Sequence, residues 1–138
     1  MEESSQFVVI DSSVILAKLM PDEKLIEYFN EDFDAFLKGK INFVAPELLF
    51  YEVSNAIKSS YLSKRFNENM CMSLLDKFLR WDIGYVNVKE FKKIVVMSIE
   101  YKLSVYDATY LYLANKHKCR LLTLDKKLRK VWEESLSI

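Results

Sequence analysis

The chain has 138 residues, 51 % of them hydrophobic and 14 % aromatic, which excludes an intrinsically disordered protein and suffices to bury roughly two-thirds of the surface that the unfolded chain exposes. Twenty Lys and Arg balance twenty Asp and Glu, so no overall field draws the protein to nucleic acid or to an anionic membrane, and any polyanion must be held locally. Two cysteines far apart, Cys71 and Cys119, exclude a zinc knuckle or a disulfide scaffold, and two glycines, Gly39 and Gly84, leave no phosphate-cradling or dinucleotide loop.

Phe7 to Ile10 is a continuous apolar, largely β-branched run closed by Asp-Ser-Ser; it reads as a strand buried on both faces, hence a central strand of a parallel sheet. After Pro21-Asp22 comes a helical stripe of Leu25, Ile26, Phe29, Phe33 and Phe36, with Gly39 placed to end it. Ile41 to Ala45 reads as a second strand, and Pro46 suits the first turn of the next helix. That helix carries Leu48, Leu49, Val53, Ala56 and Ile57 at core spacing and runs to about Leu62. Another is expected from about Asn67 to Trp81, with Met70, Leu74, Leu75, Phe78 and Leu79 inward. Gly84 to Val88 reads as a short strand, and Phe91, Ile94, Val95, Ser98 and Ile99 make the next apolar stripe. Ser104 caps a helix from Val105 to about Lys116, with Asp107 three residues on in the manner of a capping box. Arg120 to Leu124 is the last strand and Lys126 to Glu134 a terminal amphipathic helix.

Strands separated by helices, without hairpin signals, predict one domain over residues 1–138: a three-layer α/β/α sandwich around a mainly parallel sheet of four to five strands. The N-terminus lacks a basic segment, the apolar run after it is too short for a signal peptide, and no stretch nears the ~18 apolar residues of a membrane span. A soluble, cytoplasmic protein is expected.

Four acidic residues occupy informative places: Asp11 after the first strand, Glu52 in a helix, Asp107 at a helix start and Asp125 after the last strand. Helix capping accounts for Asp11, Asp107 and Asp125 taken singly. It does not account for Glu52, because Leu48, Leu49, Val53, Ala56 and Ile57 place the core face of its helix around it, where a carboxylate is costly unless paired or bound to a cation. A salt bridge to a Lys or Arg, or a place at the edge of the stripe, is the plain alternative for Glu52. Were the four to converge at the carboxyl ends of the strands, a hard cation would relieve their repulsion, and oxygen-only ligands favour magnesium or manganese over zinc. His117, the only histidine, lies among Lys116, Lys118 and Arg120 and supports no nucleophilic triad. The basic runs at 89–93, 116–120 and 126–130 read as solvated helix faces.

Val-Val-Ile-Asp11-Ser12-Ser13, Glu52 within Leu-Phe-Tyr-Glu-Val-Ser-Asn-Ala, Tyr106-Asp107-Ala108 and Leu-Leu-Thr123-Leu-Asp125-Lys126 together resemble, nearly end to end, a PIN domain, the metal-dependent nuclease fold of many prokaryotic toxins of the VapBC type. The resemblance implies an endoribonuclease for single-stranded RNA, a homodimer and a small antitoxin whose segment blocks the acidic pocket. Asp11, Glu52, Asp107 and Asp125 would hold Mg2+ or Mn2+, with Ser12, Ser13 and Thr123 orienting them and Lys126 and Lys127 as candidate phosphate contacts. The family often ends with a further strand, for which only Ser135 to Ile138 remain. Two other readings are a non-catalytic PIN-like module that binds RNA or protein, and a phosphatase-like hydrolase using Asp11, which has Ser13 where a D-x-D pair needs its second acid. A response-regulator receiver would leave Glu52 without a role. Tyr28, Tyr51, Tyr61, Met70 and Met72 are expected mostly in the core, with a partner groove as the alternative.

Overall fold

The computed structural model describes residues 6–136. Four strands, β1 (Gln6–Ile10), β2 (Ile41–Pro46), β3 (Gly84–Val86) and β4 (Arg120–Leu122), form a sheet in the order β3-β2-β1-β4 with every neighbouring pair parallel. Helices α1 (Ser12–Leu19) and α2 (Glu27–Leu37) lead from β1 to β2, and α3 (Leu48–Leu62) and α4 (Glu68–Arg80) from β2 to β3. Helices α5 (Phe91–Tyr101) and α6 (Val105–His117) lead from β3 to β4, and α7 (Lys126–Ser135) follows.

Because strand side chains alternate between faces, the run Val8-Val9-Ile10 feeds two cores. Val8 and Ile10 join Ile41, Phe43 and Ala45 of β2 and Leu122 of β4 in a core closed by α1 to α4. Val9 and Leu121 face the other way, against Tyr110, Leu111 and Ala114 of α6 and Leu128 and Val131 of α7. The sheet is thus covered on both faces, the expected α/β sandwich with four strands.

The chain steps from β1 to β2 to β3, then returns across the sheet to place β4 on the far side of β1. Right-handed crossovers in opposite directions put their helices on opposite faces, which is why α1 to α4 and α5 to α7 segregate. The reversal falls between β1 and β4, and the crevice beyond the carboxyl ends of such strands is where ligands bind in open α/β sheets. Asp11 N donates to Leu122 O at 3.1 Å and carries the β1–β4 pairing one residue into that crevice.

Several expectations need correction. Pro46 is the last residue of β2, paired with Val86, and α3 begins two residues later. Ile26 is the exposed N-cap of α2 and not part of its stripe. In α4 the inward residues are Cys71, Leu74 and Phe78, while Met70 and Leu79 are exposed. The largest departure is α5: Ile94 is buried, Met97, Ser98 and Tyr101 are partly buried, and Phe91, Val95 and Ile99 of the predicted stripe lie in solvent. Tyr28, Tyr51, Tyr61, Met70 and Met72 are likewise exposed and not in the core. A final strand would need residues 137 and 138, which lie outside the described residues; Ser135 ends α7 and Leu136 is its C-cap.

Gly39 follows α2 at φ +75°, with Gly39 N donating to Phe36 O and Lys40 N to Ala35 O, the left-handed stop for which its lack of a Cβ suits it. Among the described residues, Arg65, Lys116, Arg120 and Arg129 are in ion pairs, as Lys116 with Glu90 at 2.8 Å and Arg120 with Asp32 at 2.7 Å. Among the described residues, no helix is long and apolar enough to cross a membrane.

Candidate active site

Asp11 leaves β1 in extended conformation and caps α1, as a short acceptor side chain at a strand-to-helix turn favours. Its Oδ1 accepts from Ser13 N at 3.0 Å, Ser13 Oγ at 2.5 Å and Val14 N at 3.3 Å, and its Oδ2 accepts from Thr123 Oγ1. Ser13 Oγ in turn accepts from Leu124 N at 2.9 Å, and Thr123 Oγ1 from Asp125 N at 3.0 Å. The turn after β4 is thereby fastened to the turn after β1. Asp11 is only 5 % exposed, and burial pushes its carboxyl up to about 6 in spite of the hydrogen bonds from Ser13, Thr123 and Val14, which lower it.

Glu52 is half-buried on α3, and no cation pairs with it among the described residues. The salt bridge weighed for it is replaced by a hydroxyl donor: Tyr110 Oη donates to Glu52 Oε1 at 2.5 Å, with the Ser12 hydroxyl acting on the same carboxyl. Burial raises the Glu52 carboxyl first and the charge of Asp107 adds to it, while Tyr110 and Ser12 oppose the rise.

Asp107 stands in the first turn of α6, with its N–H donated to the Ser104 N-cap at 3.0 Å. Its carboxyl is raised by burial and then by the charge of Asp125; Ser104 and Lys127 work against that. Asp125 is exposed and caps α7, its Oδ1 accepting from Leu128 N at 2.9 Å. Lys127 donates to the Lys102 carbonyl, and Lys126 is exposed at the head of α7.

Capping and electrostatics therefore coexist. The crossovers bring the four acids to one end of the sheet, where Asp107 acts on Glu52, Asp125 acts on Asp107, and both Asp11 and Asp107 act on Tyr110. None of the four is in an ion pair among the described residues. Yet no three His, Cys, Asp or Glu side chains among the described residues converge closely enough to enclose an ion. Like charges spread when uncompensated, and the Asp11 and Asp125 side chains are already held by their hydrogen bonds to α1, Thr123 and α7. In donor chemistry and uncompensated charge the set fits a hard cation.

Tyr110 is the site residue that sequence reasoning missed. It lies three positions after Asp107 on α6 and is 1 % exposed; a buried tyrosine hydroxyl needs a partner, and that requirement was the available signal.

The apolar cavities lie elsewhere. One of about 280 Å³ is lined by Phe7, Val9, Val44, Tyr85 and Cys119, and one of about 260 Å³ lies between α3 and α4.

Comparison with known proteins agrees with this geometry. The sequence profile described as "PIN domain" matches residues 8–133. Ribonuclease VapC3 of Pyrobaculum aerophilum is 28 % identical over 126 residues, covering 88 % of this chain and 91 % of that protein. Among solved structures, PAE2754 of Pyrobaculum aerophilum superposes with a TM-score of 0.72 at 18 % identity, over 98 % of this chain and 100 % of that one. VapC20 of Mycobacterium tuberculosis, described as a toxin that cleaves the sarcin–ricin loop, superposes with a TM-score of 0.61 at 12 % identity, over 90 % and 94 %. With the profile spanning nearly the whole chain and the strand order placing Asp11 and Asp125 at one crevice, the chain belongs to the PIN domain family.

Proposed function

We propose that the protein is a divalent-metal-dependent endoribonuclease acting on single-stranded RNA, the toxin of a VapBC-type pair. The observation that carries the reading is the gathering of Asp11, Glu52, Asp107 and Asp125 at the β1–β4 crevice without a compensating ion pair among the described residues. Asp11 and Asp107 would hold the principal Mg2+ or Mn2+, and Glu52 and Asp125 would complete its shell or hold a second ion. Such a cation, when bound, supplies the positive charge that acidifies a nearby water and stabilises the charge developing on a scissile phosphate.

The chain's own residues have distinct tasks. Ser13 and Thr123 fix both oxygens of Asp11 and so set the direction of its remaining lone pairs. Tyr110 fixes one oxygen of Glu52. Lys127, beside Asp107 and tethered to the Lys102 carbonyl, places a cation at the rim for the RNA backbone, and Lys126 adds a second. Ser13 donates to Asp11 from the position where a phosphatase of the D-x-D kind carries its second acid.

The test is cleavage of a single-stranded oligoribonucleotide, expected with Mn2+ or Mg2+ and absent in EDTA, and lost in Asp107→Asn. Undiminished cleavage by a rigorously purified Asp107→Asn protein would sink the assignment. The competing reading is a non-catalytic binding module, favoured by the open spacing of the acids. Thermal melts separate the two, because only a metal-binding site gives a midpoint that climbs with millimolar Mn2+.

The same reading places a second copy of the chain on α5. Phe91, Val96 and Ile99 are 63, 62 and 74 % exposed and Val95 is exposed beside them, a contiguous apolar face on a helix otherwise anchored by Ile94. Light scattering is expected to give a dimer for the wild type and a monomer for Ile99→Asp, with the melting temperature of the subunit little changed. An unaltered dimer in Ile99→Asp moves the interface off α5. An antitoxin segment would fit the groove between α3 and α4, where Tyr61 and Met72 stand exposed along the rim.

A further inference from the structure

We infer that Tyr110 is a positioning residue for the acidic site, holding one carboxylate oxygen of Glu52 by a hydrogen bond and leaving the other free for a cation. The inference rests on the metal-dependent reading above and adds a residue to it.

Tyr110 Oη donates to Glu52 Oε1 at 2.5 Å, within the short range of charge-assisted O–H···O⁻ bonds. The ring is 1 % exposed and packs in the core formed with Val9, Leu111 and Leu128, so the hydroxyl has one fixed location. Only one oxygen of Glu52 accepts from it.

The placement links two parts of the chain. Glu52 rides on α3 and belongs to the half of the fold built around α1 to α4, whereas Tyr110 and Asp107 belong to α6 on the opposite face of the sheet. Tyr110 stands one helical turn after Asp107 on the same side of α6. The bond therefore fixes Glu52 relative to Asp107 across the end of the sheet, and no hydrogen bond or ion pair joins the two acids directly among the described residues. Phenylalanine fills the same ring volume and removes only the donor.

The experiment compares wild type, Tyr110→Phe, Glu52→Gln and the double variant in two readouts: kcat on a single-stranded oligoribonucleotide, and the Mn2+ concentration that gives half of the metal-induced rise in melting temperature. If Tyr110 acts through Glu52, Tyr110→Phe raises the Mn2+ midpoint and lowers kcat by roughly ten- to hundred-fold each, as losing an outer partner of a ligand does. In the Glu52→Gln background the same change then adds less than about twofold, the signature of two residues acting as one unit. A merely structural hydroxyl would lower the metal-free melting temperature and leave the Mn2+ midpoint where it was; that result overturns the inference, as does a full independent effect in the double variant. Should Tyr110→Phe fail to fold, Ser12→Ala removes the other hydroxyl that acts on Glu52 from a less buried place, and an unmoved Mn2+ midpoint there overturns the idea that the hydroxyls beside Glu52 set its grip. A wild type that cleaves no RNA removes the nuclease reading alone, since the Mn2+ midpoint still decides the role of Tyr110. A wild-type melt unmoved by Mn2+ overturns both.

Discussion

Asp11→Asn is expected to abolish cleavage and, in EDTA at pH 7, to make the protein more stable than the wild type. The loss of activity follows from removing the most deeply held acid of the crevice: several kcal/mol of charge stabilisation correspond to a fall of roughly 10²- to 10⁴-fold. The gain in stability follows from burial. With its carboxyl pushed up to about 6 from 3.8, ionised Asp11 at neutral pH opposes folding by about 3 kcal/mol. Asparagine removes the charge, and its carbonyl still accepts from Ser13 N and Val14 N. Its amide must face Thr123, which now has to accept, and losing one such bond costs about 1 kcal/mol. The balance is about 1–2 kcal/mol in favour of asparagine, or roughly 3–8 °C in melting temperature. Melts of the two EDTA-treated proteins check it. A lower midpoint for Asp11→Asn would mean that burial does not strain this carboxylate, and full cleavage would remove Asp11 from the site.

The pH dependence of stability supplies the second large effect. Asp11, Glu52 and Asp107 all have carboxyls raised in the folded protein, chiefly by burial. A raised acid binds a proton in the folded state at a pH where the unfolded chain has released it, so its contribution is fully present below the unfolded value near 3.8 and is lost as pH climbs through the folded one. The metal-free protein should therefore lose stability between about pH 4 and pH 6, with Asp11 alone contributing up to about 3 kcal/mol, and level off above. Asp22 and Glu90 have the opposite sign, held low by Arg65 and Lys116, with Glu90 at about 2. Their contribution is lost as pH falls below about 4, and both are exposed, so it is small. Millimolar Mn2+ favours the ionised carboxylates and should flatten or invert the fall between pH 4 and 6. Urea titrations across that range, with EDTA and with Mn2+, make the comparison. A metal-free stability that rises steadily from pH 4 to 7 contradicts the raised carboxyls.

Much of the architecture could be read from periodicity because the determining residues carry local signals. Val8-Val9-Ile10 reads as a strand buried on both faces and is one, although Phe7 at the head of the run is 55 % exposed, and Asp11 after it caps a helix. Glu52 stood out because a carboxylate amid a core stripe needs a partner. What the stripe could not reveal was the partner's identity, which lies 58 residues away on α6. The errors share a cause. A stripe of Phe91, Val95 and Ile99 has the right period for burial, yet period says nothing about whether another element arrives to cover it. In α4 the stripe rightly holds Leu74 and Phe78 but takes Met70 in place of its neighbour Cys71, about 100° away around the helix, because both are apolar. The spacing of the four acids was likewise beyond the sequence, since it depends on how four separate turns meet beyond the sheet.

The strand order has a consequence for the cell that makes this protein. The pairing partner of β1 on its crevice side is β4, which arrives only after residue 119, and Thr123 and Asp125 come later still. A chain made only as far as α6 has no donor for the second oxygen of Asp11 and no last acid. On the proposed nuclease reading, the acidic site stays incomplete until residues 120–125 have joined the sheet, so the order of strands also sets the order in which activity can arise.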